Sequence, residues 1–338
     1  MTAPESSAAK TPAGPASRVF RLLRRLLPWL ALAAVFALIF WKIPFAKVVA
    51  EFKTMTPTQI LSLSGLALAF ILGVCAIDAV ALKYAFGVFG IKIAWRELFL
   101  VRAATMVLVA IASPVGQAGI AGHLVRTKRA PLGPAAGMIM FLMMIEFYGM
   151  LAVATVCFPL LLFVKGDALP SPAPALLSAA MIVGLWPLLF IVIRLSQSQT
   201  GIALLGRLRL ASLAQPLQAF GSTQVLKLLL LKTILAAWQI ALTLPAFRLY
   251  HINLPGLDLF AFMPLAIIVS SIPITPARLG ITQLSWAMFF HYAVPDQTLV
   301  AFSLLFQVLI NLARWLIGAA ALPFIARAPA GGDEGEKI

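Results

Sequence analysis

The chain has 338 residues, 62% of them apolar and only 11% charged, whereas a soluble domain carries about 25% charged residues. A soluble globule is excluded, and the length divides instead by the ~20 apolar residues that cross a hydrocarbon layer, giving one polytopic all-α membrane domain. The 26 Lys and Arg against 11 Asp and Glu, a net +15, lie between apolar runs. Loop charge bias and anionic headgroups account for them, and nucleic acid is not an expected partner. Cys75 and Cys157 each lie inside an apolar run and make no disulfide framework or metal motif.

Residues 1–27 read as a disordered basic cytoplasmic tail, with Lys10, Arg18, Arg21, Arg24 and Arg25 against Glu5. A signal peptide is the rival reading, but no small-residue cleavage site follows the first apolar run, which reads as a retained span. Runs long enough to cross are 28–45, 58–82, 133–163, 173–193, 225–247 and 298–323. Two stretches are too short. Residues 98–112 stop at Ser113-Pro114, followed by Gly116, Gly119 and Gly122; residues 259–272 stop at Pro273, followed by Pro276 and Gly280, before a second apolar stretch, 281–293. A run of about 15 residues reaches about 22 Å, short of the ~30 Å core, so each pair of half-runs reads as a re-entrant hairpin with a Pro/Gly tip.

Charge placement favours this for the first pair. With the N-terminus inside, a full crossing over 98–122 strands Arg126, Lys128 and Arg129 outside, and a hairpin returns them to the cytoplasm. A plain crossing is the alternative. The hairpin reading gives six full spans and two hairpins, with span, span, hairpin, span occurring twice in opposite orientation. Repeat one is 28–163 and repeat two 173–323, within a single transmembrane domain over 28–323; residues 324–338 are a second cytoplasmic tail. This is the inverted-repeat plan of many secondary transporters. Residues 198–221 carry apolar residues at roughly helical spacing beside Arg207 and Arg209 and read as an interfacial helix.

Helix breakers at membrane depth leave backbone groups that survive only in protein or beside a wet cavity, so both tips are candidate binding sites. The first offers Pro114, Gly116, Gln117, Gly119 and Gly122 as a backbone that a ligand approaches closely, with Arg126 downstream; the second offers Pro273, Thr275, Pro276, Arg278, Gly280 and Gln283, where the guanidinium suits a phosphate. A Pro/Gly kink in a packed helix is the competing interpretation. Charges within spans are costly and usually paired or functional: Asp78, Arg102, Glu146, Lys232 and Arg314. Arg102 and Lys232 lie near enough to their cytoplasmic ends to snorkel. Arg314, with Gln307 and Asn311, forms a polar stripe that either faces a ligand or bonds between helices. Glu146, in mid-span, either pairs with Arg102, Arg278 or Arg314 or stands alone as a proton carrier.

Enzymatic signatures are lacking. His123, His251 and His291 have no ligand spacing, and the chain holds no phosphate-cradling GxxxxGK[ST], HExxH or nucleophile elbow, so no catalytic residue, metal or cofactor is expected.

The second tip, Ile272-Pro273-Ile274-Thr275-Pro276-Ala277-Arg278-Leu279-Gly280-Ile281-Thr282-Gln283, resembles the "LPISPGGLGVRE" signature of the flippase-like membrane family named after the transmembrane region of lysylphosphatidylglycerol synthases. Ser113-Pro114-Val115-Gly116-Gln117-Ala118-Gly119, with Gly122 and Arg126, is similar to that family's "TPGGAGG…R" segment. The resemblance covers about 28–323. It implies a multi-pass protein of the bacterial inner membrane, both termini cytoplasmic, that translocates an anionic phospholipid, glycolipid or polyprenyl-phosphate lipid or supports its synthesis beside a biosynthetic enzyme partner. Gln283 stands at the family's Glu, Thr282 at its Arg, and Arg278 where the family has Gly. With no aminoacyl-transfer domain before Ile338, a complete synthase is not expected. The leading expectation is a lipid translocase and not an enzyme; a membrane-embedded lipid-modifying transferase and a non-catalytic partner of a lipid biosynthesis complex are the alternatives.

Overall fold

The computed structural model describes residues 45–111, 113–127, 130–166, 172–199, 218–272 and 278–326, with isolated residues such as Ile39, Trp41 and Thr275. Its elements are α1 (Phe45–Lys53), α2 (Pro57–Val88), α3 (Trp95–Ile111), α4 (Ser113–Arg126), α5 (Leu132–Lys165), α6 (Pro172–Gln197), α7 (Ser222–Leu249), α8 (Gly256–Ser270), α9 (Ile281–Phe290) and α10 (Asp296–Ala326). Among the described residues, five helices are long and apolar enough to cross a membrane: Pro57–Val88, Leu132–Lys165, Pro172–Ile191, Ser222–Leu249 and Asp296–Ile325. The remaining expected span, 28–45, and the two tails lie largely outside the described residues.

Helix ends are set by capping chemistry. At the start of α2, Gln59 N–H donates to Thr56 Oγ1 at 3.3 Å and Thr56 N–H donates to Gln59 Oε1 at 2.9 Å, with Pro57 at the first helical position. Two orphan backbone donors are satisfied, and the helix begins before the apolar run gains full strength. At the start of α7 the Gly221 N–H donates to Gln224 Oε1 at 2.7 Å.

The four helices of the two short pairs fall below membrane thickness: 17 and 14 residues in α3 and α4, and 15 and 10 in α8 and α9, or about 25, 21, 22 and 15 Å at 1.5 Å per residue. Each pair folds back on itself. In the first, α4 begins at Ser113 and runs against α3, and a Cβ added at Gly119 would lie 2.9 Å from Thr105 Cγ2. A Cβ on Gly116 would collide with Val109. This corrects the expectation that 114–122 is open backbone for a ligand: it is helix, and Gly116 and Gly119 allow α3 and α4 to touch. Gly122 faces open space. In the second pair, the Phe262 ring of α8 lies tilted 6.2 Å from that of Phe289 and edge-on 6.4 Å from that of Phe290, both on α9.

The side-chain bonds sort residues to two ends of the bundle. At one, Thr298 donates to Glu51 at 2.9 Å, Gln59 donates to the Leu249 carbonyl at 3.1 Å, and Asp258 accepts from Lys165 at 2.6 Å and Tyr292 at 2.8 Å. At the other, Phe220 packs between Phe89 and Phe141, with ring centroids at 5.6 and 4.9 Å, and Arg126 donates to the Ile325 carbonyl at 2.9 Å. Phe220 is buried, so the end of the 198–221 stretch packs into the bundle and is no surface helix there; most of 200–217 lies outside the described residues.

Candidate functional site

Six charged side chains from five helices and the turn before α9 converge at mid-bundle. Asp78 of α2 is 2% exposed and bridges two cations: Arg102 of α3, whose Nε lies 2.6 Å from Asp78 Oδ2, and Lys232 of α7, which donates to Asp78 Oδ1. Lys232 also donates to Glu146 Oε2 of α5 at 3.1 Å. Arg102 and Lys232 are 4% and 2% exposed. The snorkelling alternative is thereby overturned, since α3 and α7 extend seven and ten residues N-terminal of these positions and hold both heads among other helices. The Lys232 backbone is pressed against α5, where a Cβ on Gly149 would sit 2.6 Å from its carbonyl carbon. Glu146 has the partner that the sequence reading left out: neither alone nor on an arginine, it is ion-paired to Lys232.

Beside this network lies a cavity of about 160 Å³ whose wall includes residues of both short pairs. Arg102 and Gln117 come from α3 and α4; Ser270, Ser271, Arg278, Thr282 and Trp286 come from α8, the following turn and α9. Glu146 of α5, Gln239 and Thr243 of α7, and Ser303, Gln307 and Arg314 of α10 complete the polar lining. The rest is apolar, with Phe70, Val74, Met106, Phe147 and Phe306 among it. Among the described residues, Arg102, Glu146, Arg278 and Arg314 are the charged ones on this wall.

The turn before α9 is built to present Arg278. Arg278 has φ of 60° and Gly280 has φ of 82°. Glycine adopts this region freely, whereas for arginine it is strained by about 1–3 kcal/mol, a pattern that clusters at functional sites. The Gly280 N–H donates to Gln283 Oε1 at 2.6 Å, and the Arg278 carbonyl accepts from Thr282 Oγ1 at 2.8 Å. Gln283 is wholly buried and caps α9, which glutamine does as well as glutamate. Its role is therefore met without the charge.

Around the cavity, the bonding capacity left over is that of N–H donors. Arg102 Nη1, Arg314 Nε, Trp286 Nε1 and Gln283 Nε2 are buried without a hydrogen-bond acceptor in the structure, and all four are N–H donors. Arg314 is otherwise held by Asn311, whose Oδ1 accepts from Nη1 at 2.9 Å and from Gln307 at 3.4 Å. The polar stripe of the last helix thus faces the cavity.

Of the expected tip residues, the structure brings Gln117, Arg278 and Gln283 to the cavity or its immediate backing. Thr275 is buried with an unpartnered hydroxyl. Arg126 is held at the bundle end by the α10 carbonyl, where a cation suits a helix C-terminus. Pro273 and Pro276 lie outside the described residues, as does the side chain of Pro114. Sequence reasoning missed Trp286, Thr282, Gln239 and Thr243, which are ordinary components of apolar or interfacial runs; Trp286, three residues after Gln283 on α9, is the one that helical spacing from the tip motif could have found. Among the described residues no cluster of three metal-ligating side chains occurs.

Comparison with known proteins gives one family. A family model described as "Lysylphosphatidylglycerol synthase TM region" matches residues 25–328, and no curated protein matches the chain.

Proposed function

The chain belongs to the lysylphosphatidylglycerol synthase transmembrane-region family, and from that premise we propose that it is a lipid translocase whose cavity between two opposed re-entrant hairpins receives an anionic headgroup while the tails stay in the bilayer. The observation that carries this reading is the chemistry of the cavity wall. Three arginines and an indole N–H meet at one mid-bundle cavity, the unpartnered wall atoms Arg102 Nη1, Arg314 Nε and Trp286 Nε1 are N–H donors, and a phosphate supplies the matching oxygens.

The pattern of packing supports the inverted repeat. In the first hairpin α3 lies against α10, the last span of repeat two, and α4 against α5, the last span of repeat one; in the second α8 lies against α5 and α9 against α10; α2 and α7, the equivalent spans, pack on each other. This exchange is what a two-fold axis in the membrane plane generates. Both ends of the first hairpin share a bundle end with Ile325, and both ends of the second share the opposite end with Lys165 and Leu249. Placed by the basic residues, the first end faces the cytoplasm of a bacterial inner membrane, with both termini on that side.

Translocation requires no bond making, and the protein is proposed to act without catalysis, alone or beside an enzyme that makes its lipid. Reconstitution of the full chain into liposomes carrying a fluorescent acidic phospholipid tests this. The account expects dye on the inner leaflet to become accessible to an external quencher, with the rate falling at least tenfold for Arg278→Ala. Covalently altered lipid without movement in the same vesicles favours the transferase, and an unchanged lipid that never moves contradicts translocation.

A further inference from the structure

The charges of the cavity do not cancel, and their excess has a definite size. Asp78 and Glu146 are engaged by Arg102 and Lys232, so that four groups form a network with no net charge. Arg278 and Arg314 remain. Both line the cavity, and neither has a carboxylate within ion-pairing distance among the described residues. They lie within electrostatic reach of each other, and Glu146, the nearest acid acting on Arg278, is already bonded to Lys232.

From this excess of two positive charges, and resting on the translocase reading above, we propose that the cavity selects lipids whose headgroup carries two negative charges, a phosphate monoester or a diphosphate, over phosphodiesters that carry one. A diester placed between the two guanidiniums neutralises one and leaves the other buried without a counter-ion, a large electrostatic penalty. A terminal phosphate brings a second charge and a third free oxygen. Its oxygens accept from both guanidiniums in the bidentate manner that planar donors favour, and the acceptorless Nε of Arg314 and Nε1 of Trp286 offer further bonds. Asn311 anchors the Arg314 head through Nη1, and Arg278 projects from a turn whose carbonyl is held by Thr282. Both charges line the cavity in the absence of ligand, and the selection follows charge number more than headgroup shape.

The test uses the purified full chain in neutral detergent with three lipids of identical tails: phosphatidic acid, phosphatidylglycerol and phosphatidylcholine. At pH 8, where the phosphate monoester is close to doubly ionised, its second pKa being about 6, phosphatidic acid is expected to bind at least tenfold more tightly than phosphatidylglycerol. At pH 5 that preference should shrink to under threefold, while the charges of phosphatidylglycerol and of the arginines are unaltered. Arg314→Gln should equalise the two acidic lipids at pH 8, and Arg314→Lys should restore the preference in part. Equal binding of the two acidic lipids by the native chain at pH 8 overturns the inference and leaves the anionic-lipid reading intact; binding of neither above phosphatidylcholine overturns both. Inorganic phosphate separates a lipid from a soluble ligand: competition only at concentrations at least a hundredfold above those of phosphatidic acid supports the lipid, and competition at equal concentration overturns it.

Discussion

At the scale of single residues, Arg278 carries opposed effects on folding and on binding. Its φ of 60° is one that glycine accepts without strain, so Arg278→Gly should raise stability by about 1 kcal/mol while removing a cavity charge. Thermal unfolding in detergent, set beside lipid movement in vesicles, is expected to show a more stable protein with at least tenfold slower transport; Arg278→Lys should keep the strain and part of the transport. Asp78 is the residue on which the buried network depends. Replacing it with Asn leaves Arg102 buried without an ion pair and Lys232 with Glu146 alone, which costs about 3–5 kcal/mol. Glu146→Gln should cost less, because the Glu146 side chain is 31% exposed and its partner Lys232 retains Asp78. If chemical unfolding ranks Glu146→Gln as the more damaging, the network described here is wrong. The existence of these charges was legible in the chain, since an ionised group in an apolar run announces itself. Their pairing was not. Asp78 and Lys232 are 154 positions apart, and only the packing of α2 on α7 decides that they meet.

At the scale of elements, the short lengths of α3, α4, α8 and α9 were readable from apolar runs that stop at Pro and Gly. What those glycines do was not readable, because a Pro/Gly segment looks alike whether it opens the backbone to a ligand or seats one helix on another. The distinction is testable at Gly116 and Gly149. A Cβ at Gly149 meets the backbone of Lys232 at 2.6 Å, and backbone yields poorly, so Gly149→Ala should destabilise by about 1–3 kcal/mol. Gly116 meets both the Val109 side chain and the α3 backbone, and alanine there should separate the first pair. Gly122, with open space around it, serves as the control, its alanine variant being expected to unfold within about 0.5 kcal/mol of the native chain. The orientation of the first pair has its own check. In a background lacking Cys75 and Cys157, a cysteine at Thr127 should resist an impermeant thiol reagent added outside intact cells; labelling there would mean that the α3–α4 pair crosses the bilayer.

At the scale of the whole molecule, a membrane protein with no aqueous core has to place every buried charge beside another or beside a ligand. Here two carboxylates meet two cations, and the remaining guanidiniums line a cavity to which both short helix pairs contribute. The central claim is that this one cavity holds an acidic lipid headgroup, and protection of a cavity residue tests it most directly. Gln307 lines the cavity on α10 beside Arg314. With Cys75 and Cys157 removed and Gln307→Cys introduced, the thiol-labelling rate in detergent is measured against added lipid. The account predicts that an acidic phospholipid slows labelling at least fivefold, that phosphatidylcholine with the same tails does not, and that Arg278→Ala abolishes the protection. Equal labelling with acidic and zwitterionic lipid would contradict it.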